Sequence, residues 1–241
     1  KDGKYTAGTD TKIGTMSEIA KGYYELKDLD IGTYFVEETE APAGFLRDEK
    51  VYTAIIEKAN QEVPVETTAG KGFENVPKKG SVSVIKYDKD TSEILSGAEF
   101  TLYEDSNNNG EFDDTDKSLS TLTETSAGSG KYVSGELRLG TYFVKETQAP
   151  DGYDADPNAY KAVITEDKQV INIENEVGKG FVNAPKKGTI KLTKIDEEYP
   201  DNKLSGAIFE VYRDENGNDV IDDGDTSMGT LTEGTGDNKG V

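Results

Sequence analysis

Residues 140–153 read GTYFVKETQAPDGY, and a near copy, GTYFVEETEAPAGF, stands at residues 32–45. Each copy predicts a β-strand that runs into a turn. Alternation sends Tyr142, Val144 and Glu146 to one face and Lys145 to the other; in the earlier copy Tyr34, Val36 and Glu38 share a face and Glu37 opposes them. Charged Lys145 and Glu37 belong in water, so Glu146 and Glu38 are expected to point inward beside Val144 and Val36. An unpaired carboxylate there is costly and tends to take up a proton. Ala-Pro and a nearby Gly then end the strand.

Working outward, Gly32 and Gly140, Phe73 and Phe181, and Lys78 and Lys186 form pairs that are each 108 residues apart. LSGAEF from Leu95 returns as LSGAIF from Leu204, 109 residues on. The chain is a tandem repeat. Its copies fall at 1–78, lacking the first strands, at 79–186, complete, and at 187–241, the N-terminal part of a third. This pattern is expected of a segment from a longer array. In the middle copy strands are expected at 81–87, 99–103, 119–123, 131–136, 141–147, 159–165, 170–174 and 180–183. The first copy supplies 52–57 and 61–66, with Pro64 marking an edge or a bulge. Turns rich in Gly, Asp, Asn and Ser separate them at the spacing of a sandwich or small barrel, so the fold class is all-β, a string of sandwich domains. The short joints at 76–80 and 184–188 predict stiff, nearly collinear domains.

Composition narrows the chemistry. No Cys and no His are present, which removes disulfides, thiolate chemistry and the commonest general base and metal ligand. A formal charge of −21 repels nucleic acid and anionic membranes and favours small cations as partners. No apolar run is long enough to insert in a membrane, and neither a secretory core nor a sorting motif is visible.

The strand opening the middle copy, SVSVIKY, places Val82, Val84 and Lys86 on one face, and the third copy places Ile190, Leu192 and Lys194 likewise. In the closing strand, charged Glu74 marks the outer face, so Phe73 and Asn75, and with them Phe181 and Asn183, look inward. A complete copy is thus expected to bury one Lys, one Glu and one Asn. Read singly, these residues make a hydrogen-bonded trio, a snorkelling Lys and a turn-forming Asn. Read together they make a reactive set: burial turns Lys86 toward a neutral amine and Glu146 toward a neutral acid. Attack of the amine on the Asn side-chain carbonyl, with Glu shuttling protons and ammonia leaving, gives a Lys-to-Asn isopeptide bond. Asn175 also ends a strand, but its repeat counterpart is Thr67, whereas Asn183 is matched by Asn75.

These features resemble tandem Cna B-type, or SpaA-like prealbumin-fold, domains of Gram-positive surface adhesins and pilins. The resemblance is carried by Lys-x-Asp at Lys86 and Asp88 and at Lys194 and Asp196, by LSGAEF, by YFVxETxAPxG, and by the closing Asn before Pro. It implies an Ig-like β-sandwich and an autocatalytic Lys86–Asn183 isopeptide bond with Glu146 as the catalytic acid. It further implies an extracellular place on a cell surface, with wall anchoring through a region outside this chain. The first copy has the equivalents Glu38 and Asn75 without a Lys, and the third has Lys194 alone. Head-to-tail complementation between chains, joining Lys194 to Asn75, is one hypothesis for these incomplete copies, and a segment cut from a longer array is the preferred one; neighbouring domains of the same long surface protein are the expected partners.

Two acidic loops fit the twelve-residue calcium pattern. Asp105, Asn107, Asn109, Asp113 and Asp116 occupy positions 1, 3, 5, 9 and 12; Gly110 stands at the sharp turn, and Glu111 offers its carbonyl at position 7. Asp214, Asn216, Asn218, Val220, Asp222 and Asp225 repeat the spacing, with Asp219 in place of the Gly. An ordinary Asp/Asn/Gly turn is the plainer reading of each. The loops join strands rather than helices and resemble the calcium loops of Sdr-type B repeats, where bound Ca2+ stiffens a stalk. The functional expectation is therefore a structural stalk or pilin-like segment with single-turnover chemistry. The rival is an adhesin module that binds a host matrix protein or glycan. A glycosidase with paired carboxylates is disfavoured, because no such pair repeats outside the calcium loops.

Overall fold

The computed structural model describes residues 5–6, 8–66, 72–174 and 180–231. All regular structure among them is β-strand. The chain divides into two compact units, Lys1–Lys186 and Lys187–Val241. In the first copy, β1 (Ser17–Ala20) pairs with β2 (Tyr23–Glu25), and β3 (Gly32–Glu37) pairs with β4 (Val51–Ile56), both antiparallel.

The middle copy contains β5 (Lys79–Asp88), β6 (Glu99–Glu104), β7 (Lys117–Glu124), β8 (Lys131–Val133), β9 (Leu137–Arg138), β10 (Gly140–Gln148), β11 (Ala159–Ile164), β12 (Val170–Asn172) and β13 (Phe181–Asn183). One layer runs β11-β10-β6-β7. The other has β5 at its centre, flanked by β8 and β9 on one side and by β12 and β13 on the other. Strand β7 belongs to both: residues 117–122 pair with β6, and Thr123 and Glu124 pair with β8. All pairings are antiparallel except those of β5 with β12 and β13, which are parallel. The third copy contributes the hairpin β14 (Phe209–Arg213) and β15 (Thr226–Leu231).

Alternation fills the space between the layers. Along β5, Gly80, Val82, Val84, Lys86 and Asp88 are buried while their neighbours are half-exposed. Of these, Val82 and Val84 share one core with Phe100 and Leu102 of β6, Leu122 of β7, Tyr132 of β8, Tyr142 and Val144 of β10, Ala162 and Ile164 of β11, and Phe181 of β13. Phe100 packs edge-on against both Tyr132 and Phe181, with centroids 4.9 and 4.7 Å apart.

Four expectations need correction. Residues 61–66 form no strand. Their counterpart β12 exists by pairing with residues 81–83 of the opening strand, and in the first copy no described strand occupies that place. Residues 189–194 likewise form no strand, and Ile190 is 65% exposed, so Lys194 does not face a core. Of the span 131–136 only 131–133 is strand, as β8; the chain leaves the ladder at Ser134, whose hydroxyl accepts the Val82 N–H, and pairs again only at β9. Finally, the outer face of β10 is not simply solvated. Phe143 is buried there because the 105–116 loop folds over it, bringing Phe112 to 5.7 Å from Phe143 and 5.0 Å from Tyr103.

Candidate functional site

The inward faces of three strands converge at one end of the middle sandwich. Lys86 comes from β5, Glu146 from the facing β10, and Asn183 from β13 beside β5; their exposures are 0%, 3% and 1%. Parallel pairing sets Phe181 against Lys86 and Asn183 against Asp88. The approach of β13 depends on Gly180, where a Cβ would collide with the Ile85 carbonyl oxygen.

Glu146 Oε1 stands between the other two groups, 3.6 Å from Lys86 Nζ and 3.0 Å from Asn183 Nδ2, which donates to it. Its second oxygen, Oε2, accepts the Asp156 N–H at 2.7 Å. Lys86 Nζ and Asn183 Oδ1 are both buried and without a hydrogen-bond partner. Each such atom costs about 1–3 kcal/mol, more if charged. Desolvation pulls the Lys86 ammonium down to about 8, against the opposing attraction of Glu146. Desolvation likewise pushes the Glu146 carboxyl above its ordinary value, against the Asp156 N–H and Lys86. Both shifts run toward the neutral pair, amine beside acid.

The first copy repeats this geometry without an amine. Asn75 Nδ2 donates to Glu38 Oε2 at 2.6 Å, and the Asp48 N–H donates to the same oxygen at 2.7 Å, with both side chains half-buried. Lys194 is exposed. Asn175 and Thr67 lie outside the described residues. Asp88, which follows Lys86 by two residues, accepts from Tyr153 Oη at 2.7 Å and from the N–H groups of Asp90 and Thr91. Asp196 accepts from Glu198 and Tyr199 in the same manner.

The two acidic loops share one internal architecture. In the first, Asp105 accepts the N–H groups of Asn109 and Gly110, Asn107 that of Asn109, and Asn109 that of Glu111. Asp116 accepts from Ser106 and Asp113. In the second, Asp214, Asn216, Asn218 and Asp225 take the corresponding partners. Asp219 adopts the left-handed conformation, φ 60°, that Gly110 adopts at φ 75°. The donors are all oxygen and suit a hard cation. Among the described residues, however, no three carboxylates are gathered into a metal cluster. Instead Asn107 and Asn109 aim their Nδ2 atoms at Asp113. The hydroxyl and N–H of Thr115 and those amides hold the Asp113 carboxyl down at about 2.

Sequence reasoning passed over Asp156 and over the contacts that Tyr160 and Phe112 make. A pattern that could have pointed to the first two residues is Asp-x-x-x-Tyr, present at Asp48 and Tyr52 and again at Asp156 and Tyr160.

The model of the SpaA prealbumin-like fold domain matches residues 1–71 and 80–177, and the chain belongs to that family. No curated protein matches the chain. Among solved structures, the TIE protein of Bacillus anthracis is 23% identical and superposes over 90% of this chain and 38% of its own, with a TM-score of 0.59. The C-terminal fragment of the pilus adhesin SpaC from Lactobacillus rhamnosus GG is 18% identical over 68% of this chain and 81% of that one, TM-score 0.39. BcpA, the major pilin subunit of Bacillus cereus, is 25% identical over 45% and 27%, TM-score 0.31. The likeness to TIE is one of fold; the other two superpose too loosely to support an argument.

Proposed function

We propose that this chain is a structural stalk or pilin-like segment of a cell-surface adhesin, whose complete copy locks itself with a covalent bond between Lys86 and Asn183. The observation that carries the reading is the pair of orphaned atoms, Lys86 Nζ and Asn183 Oδ1, on two side chains that meet at one buried carboxylate oxygen. In a core that otherwise hydrogen-bonds its polar groups, two unpaired ones are a costly arrangement unless they react.

The chemistry balances without a cofactor. A proton passes from the Lys86 ammonium to Glu146, leaving a neutral amine and a neutral acid. The amine lone pair attacks Asn183 Cγ. Rotation of the Asn183 amide turns Oδ1 toward Glu146, whose proton stabilises the developing oxyanion. The tetrahedral centre then expels Nδ2, protonated through Glu146 from the attacking nitrogen, and the Cγ–Nδ2 bond breaks as the Cγ–Nζ bond is completed. The product is a neutral secondary amide plus ammonia, which carries away the remaining ammonium proton. Glu146 ends as it began. No external substrate is turned over.

Stiffening by calcium in the loops at 105–116 and 214–225 is the second part of the proposal. Support comes from the all-oxygen donor sets and from the same hydrogen-bond scaffold built twice despite Gly110 becoming Asp219.

The decisive measurement is the intact mass of the denatured, chelator-treated chain beside Glu146→Gln and Lys86→Met. The native chain should be lighter than its calculated mass by one ammonia, and both variants should weigh the calculated value. A native chain of full mass would leave only a hydrogen-bonded trio.

A further inference from the structure

The turn between β10 and β11 braces the acid from behind. Residues 154–160 read DADPNAY. The Asp156 N–H donates to Glu146 Oε2, the oxygen turned away from Lys86 and Asn183. The Asp156 carboxylate is itself held. Its Oδ1 accepts the Asn158 N–H and the Asn158 Nδ2, both at 2.9 Å, and its Oδ2 accepts the Tyr160 hydroxyl at 2.7 Å. The Tyr160 ring meets Phe181 edge-on with centroids 4.6 Å apart, and Phe181 precedes Asn183 by two residues on β13.

The first copy repeats the Asp, Tyr and Phe contacts, although there the Asp N–H and the Asn amide share one carboxylate oxygen, Glu38 Oε2. The Asp48 N–H donates to Glu38 Oε2 at 2.7 Å, the Tyr52 hydroxyl donates to Asp48 at 2.6 Å, and Tyr52 packs on Phe73 at 4.3 Å. Yet the turn there reads LRDEKVY, so only Asp and Tyr keep their places. A turn alone would be served by many residues. This one pair is retained, and both times the Asp N–H meets the Glu and the Tyr hydroxyl holds the Asp.

We propose that Asp156, held by Tyr160, is a positioning residue for isopeptide formation: it fixes the Glu146 carboxyl so that Oε1 faces Lys86 and Asn183, and it does so as β13 docks. The proposal rests on the bond-forming reading above. The terminal torsion of a Glu side chain is broad, so an unbraced carboxyl samples many orientations. An N–H on Oε2 removes that freedom before reaction, which is where much of a positioned group's advantage lies. The linkage has an order built into it. Phe181 orients the Tyr160 ring, Tyr160 and Asn158 hold Asp156, and Asp156 aims Glu146. The strand that delivers Asn183 therefore also completes the brace on its acid.

The titratable groups facing Glu146 are Lys86 on β5, Tyr132 on β8, and Asp156 and Tyr160 on the turn and β11. The negative charge of Asp156 favours the protonated forms of both Lys86 and Glu146. Geometry and charge can therefore be separated by substitution. Asp156→Asn keeps Oδ1 as the acceptor for Asn158 and can donate its Nδ2 to the Tyr160 hydroxyl oxygen, while removing the charge; Asp156→Ala removes both the side-chain hydrogen bonds and the charge.

The test is a pulse of cell-free synthesis of the full chain, dilution into buffers from acid to alkaline, denaturing quench, and intact mass against time. Asp156→Ala should slow ammonia loss by about tenfold or more. Asp156→Asn should retain the parental maximum within about threefold, with its pH–rate profile displaced to lower pH. Tyr160→Phe, which keeps the ring on Phe181, should slow the reaction by about threefold and serves where Asp156→Ala fails to fold. Parental rates in Asp156→Ala or Tyr160→Phe, or an Asn variant as slow as Ala with an unmoved profile, would overturn the assignment. If the parent itself never loses ammonia, the bond-forming reading falls first, and this one with it.

Discussion

Lys86 pays for its place in the core until it reacts. Its amine is fully buried, 3.6 Å from one carboxylate oxygen and otherwise unpartnered. Amide formation removes both the titrating nitrogen and the orphaned state. A chain that cannot react, such as Asn183→Ala, should therefore reveal the cost as a pH dependence of stability. The folded Lys86 titrates near 8, the unfolded one near 10.5. Between those values the unfolded chain holds the proton and the folded chain does not, so stability rises with pH across that window, whereas below it both states are protonated and the cost is undiminished. Glu146 acts in the opposite sense: its raised folded value makes stability fall as pH climbs above the ordinary carboxylate value of 4.5. Thermal midpoints of Asn183→Ala should thus climb above pH of about 8, and Lys86→Met/Asn183→Ala should lack that climb. Equal profiles in the two would show that Lys86 is not depressed. Inward placement of Lys86, Glu146 and Asn183 was legible from parity: Lys145 marks the outer face of β10, Glu74 of the first copy marks that of the closing strand, and Lys86 shares a face with Val82 and Val84. Asp156 was not, because its decisive contact uses a backbone N–H, which carries no signature in side-chain alternation.

At the level of elements, a strand in this family is defined by its partner as much as by its own residues. Segments 61–66 and 170–174 have comparable patterns, yet only the second contains a strand, since β5 is there to receive it. Periodicity reports which face a residue would take; whether the ladder forms depends on residues far away in the chain. The same reasoning explains Phe143. Its outward position was readable, but its burial depends on Phe112 of a loop whose spacing speaks of cations rather than packing. Two glycines, one before β13 and one before the strandless segment 189–194, give this dependence a test. Gly180 lies so near the Ile85 carbonyl that a methyl group must displace β13, whereas Gly188 has no described atom within 4 Å of its Cβ position. Gly180→Ala should destabilise the middle copy by about 2 kcal/mol or more and slow ammonia loss, while Gly188→Ala should leave melting and mass unchanged. Similar melting curves for the two variants would mean that β13 does not need its close approach.

For the molecule as a whole, a formal charge of −21 sets the response to ions. Carboxylates within each acidic loop repel one another, and a bound divalent cation would remove that repulsion while closing the loop. Calcium at about a hundred times its dissociation constant would add about 2.7 kcal/mol of stability. Melting in calcium and in chelator should therefore differ, with the difference reduced by Asp113→Asn and abolished when Asp222→Asn is added. Coincident curves would reduce both loops to turns. The repeat was readable from spacings of 108 and 109 residues and the β class from alternation and the spacing of turns, whereas the state of the loops was not, since the same Asp and Asn spacing serves a bare turn equally well. The parallel neighbourhood of β5 and β13 has a mechanical meaning of its own. Tension applied through the start of β5 and the end of β13 draws two side-by-side strands in opposite directions along their common axis. The hydrogen bonds between them are then loaded together in shear instead of being unzipped one after another, and a Lys86–Asn183 bond would cross the very seam that carries the pull.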